Sequence, residues 1–293
     1  MTRHIAELQA MGVTGAEEEA AHLRKIYALD EPLYKRYFNW ITDFGRGDFG
    51  ISFEHSRPVK ELIGERLVLT LVVSCITMLF TWLVALPLGI YSATHQYKMS
   101  DYVVTFFGFL GLSIPNFLFA LILEVAGLEF FGRVPIGLFS REFEMAAWDM
   151  AKVIDLLKNI WVPVIIIGTA GTASLIRIMR ANLLDILGQP YIQTARCKGL
   201  SEKVVVYKHA VRNALHPLVM QLGMAFPRII AGEAITAMVL NLPTTGPLYL
   251  RALEKQDMYL AGSFLFFMTV MLLLGNLLAD ILLAVVDPRI QYD

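Results

Sequence analysis

Charge is what this 293-residue chain has least of: 17% of its residues are charged against 56% hydrophobic, and the mean hydropathy is +0.56. A soluble protein of this length could not cover that much apolar surface, so composition excludes a water-soluble globule and places the chain in a bilayer. The charges that remain nearly cancel, 25 Lys and Arg against 26 Asp and Glu. No polyanionic or polycationic partner is implied for the whole chain, and any charge argument must be local. Cysteine is equally scarce. Cys75 lies in an apolar run and Cys197 in a basic segment, which excludes a disulfide framework and reads as two free thiols. No Gly-Lys pair occurs, so no P-loop is present to bind and split a nucleotide. There is no HExxH helix, no paired-cysteine metal spacing and no Gly-x-Ser-x-Gly elbow, and His4, His22, His55, His95, His209 and His216 are scattered. A membrane enzyme is therefore a poor reading.

What is there, instead, is a series of long apolar runs. Five segments are expected to span: Leu67 to Tyr91, Tyr102 to Phe131, Ile160 to Ile176, Pro217 to Val239 and Tyr259 to Val286. Four of them exceed the roughly 20 residues that a hydrocarbon core about 30 Å thick requires. The third is shorter, and its run of small residues from Gly168 to Ser174 suits an interior helix that its neighbours approach closely. Pro87, Pro115 and Pro227 lie inside spans, where packed neighbours can satisfy the freed carbonyls. The expected fold is all-α, a polytopic bundle of transmembrane helices.

Orientation follows from the short loops. Residues 177–216 hold seven basic residues (Arg177, Arg180, Arg196, Lys198, Lys203, Lys208, Arg212) against two acids, Asp185 and Glu202, so this loop is expected in the cytoplasm. Alternation places residues 92–101 and the tail from Asp287 on the same side. It places 132–159, 241–258 and the whole of 1–66 outside, with 67–293 forming the membrane domain. A polar stretch of 66 residues needs an export signal, and Met1 to Ala28 contains no apolar h-region. An additional upstream apolar helix is therefore expected in the functional protein.

The basic segment reads as two short helices and a turn. Tyr191 to Lys198 can form the first, Gly199 is a natural left-handed terminator, and Ser201 with Glu202 offers an N-cap and a favourable first-turn charge for the second. Val204, Tyr207, Val211 and Leu215 are expected on one face of that second helix, with Lys208, His209, Arg212 and Asn213 toward the other. A positive-inside loop resting on anionic headgroups accounts for the charge alone. A helix, glycine, helix device is more structure than a topology signal requires. One short basic stripe without interleaved aromatics also lacks the stacking platform of a nucleic-acid binder.

The stretch "YIQTARCKGLSEKVVVYKHAVRNALHP" resembles the cytoplasmic loop of permease subunits of binding-protein-dependent ABC importers, in particular the dipeptide, oligopeptide and nickel family. That family carries a Glu-Ala-Ala-like triplet, a glycine four residues after its last alanine, and a downstream His-Ala-x-Arg-Asn-Ala. Here these positions hold Gln193, Thr194 and Ala195, then Gly199, then His209, Ala210, Arg212, Asn213 and Ala214. The resemblance extends to "DEPLYKRYFNWITDFGRGDFGISF", with Asp48, Phe49, Gly50 and Ser52, to "RPVKELIGERL" and to "VVDPRI". Two features depart from the pattern. The family's opening transmembrane helix is missing, and Ala237 to Leu240 with "PTTGP" from Pro243 replaces a Glu, an aromatic and Pro-Gly-x-Gly.

The resemblance implies a non-catalytic subunit that forms half of a pathway for a small solute, with di- or oligopeptides ahead of nickel or oligosaccharides. It implies a second permease chain in a heterodimer, two ATPase subunits that bind ATP and Mg, an extracytoplasmic solute-binding protein, and no cofactor held by this chain. Gln193, Thr194, Ala195, Arg196, Lys198, Gly199, Leu200, Ser201 and Glu202 would then meet the ATPase. Polar groups inside spans are the candidates for the substrate route, because charge at the bilayer centre is costly. They are Glu124, Arg228, Glu233 and Asn116, with Asp280 and Asn276 behind them, and Arg228 and Glu233 are close enough in sequence to pair with each other. A secondary transporter is the rival reading; it is expected to show an internal repeat, and none is evident.

Overall fold

The structure, a computed structural model, describes residues 31–132 and 136–286. The expectation about Met1 to Ala28, and the signature "VVDPRI" beyond its two valines, lie outside those residues. Among the described residues the structure is helical apart from one isolated antiparallel bridge between Ile51 and Pro58.

The chain forms two compact units. The first combines the described residues up to Arg66 with Leu248–Phe267, so a division at residue 66 alone leaves out a part that returns much later in the sequence. It contains α1 (Leu33–Gly45), the first turns of α2 (Val59–Thr94), most of α13 (Thr245–Glu254) and the start of α14 (Met258–Val286). Val59, Leu62, Leu248, Ala252 and Leu260 make its core. Asp257 is the clasp. Fully buried, it accepts hydrogen bonds from Ser52 Oγ at 2.5 Å and Phe53 N at 2.8 Å, and caps the first turn of α14 through Leu260 N at 3.1 Å. A carboxylate so surrounded by donors is held without an ion pair.

The second unit, Leu67–Pro247 with the described residues from Met268 onward, carries the rest of α2 and α14 and the elements from α3 to α12. Its elements are α3 (Met99–Ser113), α4 (Asn116–Phe131), α5 (Met150–Asn159), α6 (Trp161–Leu187), α7 (Pro190–Cys197), α8 (Glu202–Val204), a π-turn (Val205–Ala210), α9 (Val211–Ala214), α10 (His216–Leu222), α11 (Ala225–Gly232) and α12 (Ala234–Val239). The central helix is α6, whose most apolar window is 61% buried, against 28% for α2 and 22% for α14. The small-residue run explains this. At Gly168 an added Cβ would lie 2.8 Å from the Phe80 ring on α2, so only glycine lets the two helices meet there.

The described helices differ from the expected spans in four respects. Among the described residues three helices, α2, α6 and α14, are long and apolar enough to cross a bilayer, or four if α3 and α4 count as one. The third expected span is not short: α6 runs 27 residues to Leu187, so Arg177 and Arg180 lie on the helix rather than in a loop. The second expected span is bent by 99° between α3 and α4. Ile114 takes an extended conformation there because the Pro115 ring disfavours α geometry in the residue before it. The fourth, Pro217 to Val239, is divided among α10, α11 and α12 and contains no unbroken helix long enough to cross.

The segment 132–159, expected as a plain loop, has a local fold of its own. Asp149 caps α5 through Lys152 N at 2.8 Å. The Lys152 ammonium is buried, 4.9 Å from the Phe139 ring centre and 5.3 Å from that of Trp148, and donates to Ala146 O at 2.6 Å. Asp155 accepts from Ser140 N and Oγ at 2.7 and 2.6 Å. Its burial opposes ionisation, but these two bonds, with Lys158 nearby, outweigh it and hold the carboxyl below its ordinary value.

Candidate functional site

The basic segment folds as helix, turn, helix, and the turn is a Schellman motif. Gly199 sits at φ +75°, its N–H bonds Arg196 O at 2.9 Å, and Leu200 N reaches back to Ala195 O at 3.4 Å. Arg196 crosses the turn to Glu202, with Nη2 to Oε1 at 2.7 Å and Nε to Oε2 at 3.2 Å. The fork geometry raises the guanidinium pKa and lowers that of the carboxyl, hydrogen bonding being the largest cause on both sides. Ser201 occupies the N-cap position of α8 but makes no side-chain cap bond.

The inner face of this segment is anchored. Ile192, Ala195, Val205, Val206, Ala210 and Val211 are buried in a cluster with Met179 and Leu183 of α6 and Ala85 of α2. The expected face was Val204, Tyr207, Val211 and Leu215, and two of those four prove wrong: Val204 and Tyr207 are exposed, at 37% and 62%. The register differs because residues 205–210 form a π-turn, whose wider pitch carries the apolar side one position along. Of the nine candidate coupling residues, Ala195 faces the bundle and Arg196 is half-buried. Gln193, Thr194, Lys198, Gly199, Leu200, Ser201 and Glu202 form an exposed edge.

Sequence reasoning missed the strongest polar cluster in the unit. Arg180, on α6, holds Asp101 at the start of α3 through two parallel bonds, Nε to Oδ1 at 2.9 Å and Nη2 to Oδ2 at 2.8 Å, and also reaches Ser92 Oγ on α2 at 3.1 Å. Ser92 Oγ and Tyr97 N donate to the same carboxylate. Asp101 and Ser92 are buried. In the sequence the signal is an acid and an arginine at the margins of apolar runs, where each reads as a loop charge. The bridge joins three helices close to where α6 leads into α7.

The candidate route residues separate. Asn116 Nδ2 donates to Glu233 Oε1 at 2.7 Å and to Ile167 O at 3.3 Å, so these two candidates are one contact between α4 and the α11–α12 junction. The expected pairing of Glu233 with Arg228 does not occur: among the described residues no ion pair joins them, because Glu233 turns to α4. Glu124 Oε1 and Glu233 Oε2 are buried without hydrogen-bond partners among the described residues, which costs roughly 1–3 kcal/mol each. Asp280 and Asn276 are exposed on α14. Arg228, on α11, borders an open crevice of about 130 Å³ between α2, α6 and the α10–α11 break, together with Thr77, Thr81, Ser174 and Gln221.

An anchored helical turn on a kinked apolar bundle is the setting in which comparison with known proteins becomes decisive. The family model described as binding-protein-dependent transport system inner membrane component matches residues 85–292. The chain belongs to this family. It is a multi-pass component of the cytoplasmic membrane and a transport permease. The oligopeptide transport system permease protein AppB of Bacillus subtilis is 36% identical over 270 residues, covering 91% of this chain and 83% of that protein. OppB, an oligopeptide transport system permease protein of Haemophilus influenzae, is 31% identical over 94% of this chain and 86% of its own length. The inner membrane ABC transporter permease protein YejB of Escherichia coli O157:H7 is 32% identical over 99% and 81%.

Proposed function

We propose that this permease forms half of the membrane pathway of an ATP-driven importer of di- or oligopeptides, and that the turn at Gly199 is where a separate ATPase grips it. The observation that carries this reading is the contrast between the two sides of residues 191–214. The inner side is buried against α6 and α2, while the outer edge exposes Gln193, Thr194, Lys198, Leu200 and Ser201 around a rigid turn. A helix pinned in this way transmits a push without bending, and Leu200, 40% exposed at the tip, suits an apolar cleft. The anchor continues through Leu183 into α6, and through Arg180 to α2 and α3, so displacement of the turn would tilt the helices as a body. The peptide assignment is supported by the names of the relatives.

On this reading residues 191–214 face the cytoplasm. A second permease chain completes the pathway, two ATPase subunits supply ATP hydrolysis with Mg, and an external solute-binding protein delivers the peptide. This chain holds no cofactor.

The test is a substitution series at Gly199. A Cβ there meets no atom within 4 Å, so any effect is conformational. The left-handed backbone costs an ordinary residue about 1–2 kcal/mol and a β-branched one more, whereas asparagine adopts it readily. Gly199→Asn is expected to couple normally. Gly199→Val is expected to insert normally but to lose ATPase stimulation by peptide-loaded binding protein, or to release the ATPase during purification. Normal stimulation and retention in the Gly199→Val complex would refute the role.

A further inference from the structure

The crevice beside Arg228 holds a chemistry that the coupling reading leaves unused. Arg228 lies 11 residues from either end of the apolar run Pro217 to Val239, near its middle, where an unpaired guanidinium is costly. Arg180, inside α6, is by contrast neutralised by Asp101. Arg228 is exposed into the crevice, and among the described residues no hydrogen bond or ion pair engages it, its one acidic neighbour in sequence, Glu233, being taken by Asn116.

The walls around it are mostly apolar, and a few polar side chains are set among them. Thr77 is 1% exposed, and its Oγ1 has no hydrogen-bond partner among the described residues. Thr81, Ser174 and Gln221 add hydroxyl and amide groups from three different helices. The backbone at this depth is also interrupted: α10 ends at Leu222 and α11 starts at Ala225, both of which line the crevice. Broken helices at membrane depth persist where they border a water-filled or ligand-filled space. The volume of about 130 Å³ is far above the roughly 10–15 Å³ that one water needs.

We propose that Arg228 is the specificity residue of the pathway: its guanidinium receives the carboxylate terminus of a passing peptide, with the hydroxyls of Thr81 and Ser174 and the Gln221 amide completing the contact. Bidentate pairing of a guanidinium with a carboxylate is the strongest such contact a side chain offers. The same charge repels a divalent cation, which sets nickel aside as the cargo, and it gives no particular advantage to a neutral oligosaccharide. This inference rests on the importer reading above and names the chemical group which that pathway recognises.

The experiment uses the full complex of both permease chains, ATPases and binding protein in proteoliposomes, with trialanine and its C-terminal amide as probes. Uptake of each is compared between wild type, Arg228→Gln and Arg228→Lys, with permease abundance and co-purification of the second chain measured in parallel. A hydrogen bond to a charged group contributes about 1.5–3 kcal/mol, so Arg228→Gln is expected to lower trialanine uptake by roughly 10- to 150-fold. Uptake of the amide, already poor, should change little. Arg228→Lys should restore part of the preference for the free acid, because charge survives and the fork does not. Abundance and assembly should stay at wild-type levels. Equal loss for both probes, or no loss for either, overturns the carboxylate assignment while wild-type uptake keeps the importer reading intact. Loss of the second permease chain in Arg228→Gln, retained in Arg228→Lys, would make Arg228 the partner of an acid on that chain and overturn it as well. If the wild-type complex takes up neither probe, the peptide reading itself fails, and this assignment falls with it.

Discussion

Breaking the bridge between Arg180 and Asp101 should be the most damaging polar substitution in the membrane unit, and its size follows from the geometry. Asp101 is buried and receives Arg180 Nε, Arg180 Nη2, the Ser92 hydroxyl and Tyr97 N, while the Arg180 side chain remains 28% exposed. Arg180→Met leaves a buried carboxylate with two neutral donors, a loss of about 3–5 kcal/mol. Asp101→Leu leaves a cation that can still turn toward water or headgroups, so its cost should be smaller, roughly 1–3 kcal/mol. The double variant removes both charges and keeps volume, and is expected within about 1–2 kcal/mol of wild type. The three values form a double-mutant cycle with a coupling energy of at least about 2 kcal/mol. Thermal unfolding of the purified complex in detergent, read by loss of the monodisperse species, supplies them. If the double variant is as unstable as the sum of the singles, the bridge is not what joins α2, α3 and α6.

Two further outcomes are expected. Glu124→Gln should leave membrane abundance unchanged and alter peptide uptake if its buried, unpartnered Oε1 faces the route; reduced abundance would mark Glu124 as a packing residue, and equal uptake with equal abundance would remove it from the route altogether. The segment 138–159 should loosen in acid through Asp155: because its folded pKa is depressed, the stabilisation is present above the ordinary carboxylate value and is lost as pH falls through the lower folded value. Limited proteolysis of this segment across that range should show the transition in wild type and its absence in Asp155→Asn.

Recognition of the membrane class, the kinked apolar segments, the small-residue run of α6 and the glycine-terminated turn needed no coordinates. Each rests on a local property: composition, periodicity, or the conformational freedom of one residue type. Gly199 is left-handed because the helix must end there, and the chain says so within ten residues. The boundaries were less legible. Arg177 and Arg180 read as loop because a charge looks like an exit from the bilayer, until an acid 79 residues earlier turns out to neutralise one of them.

The sequence by itself determined that this is a bundle of apolar helices with a glycine-terminated basic turn, since apolar composition and the capping of a helix are local properties of the chain. Tertiary structure alone decided which charges are paired. Asp101 found Arg180, Glu233 found Asn116, and Arg228 was left facing a crevice, because partnership between side chains far apart in sequence depends on which helices pack together, and no local pattern encodes that distance.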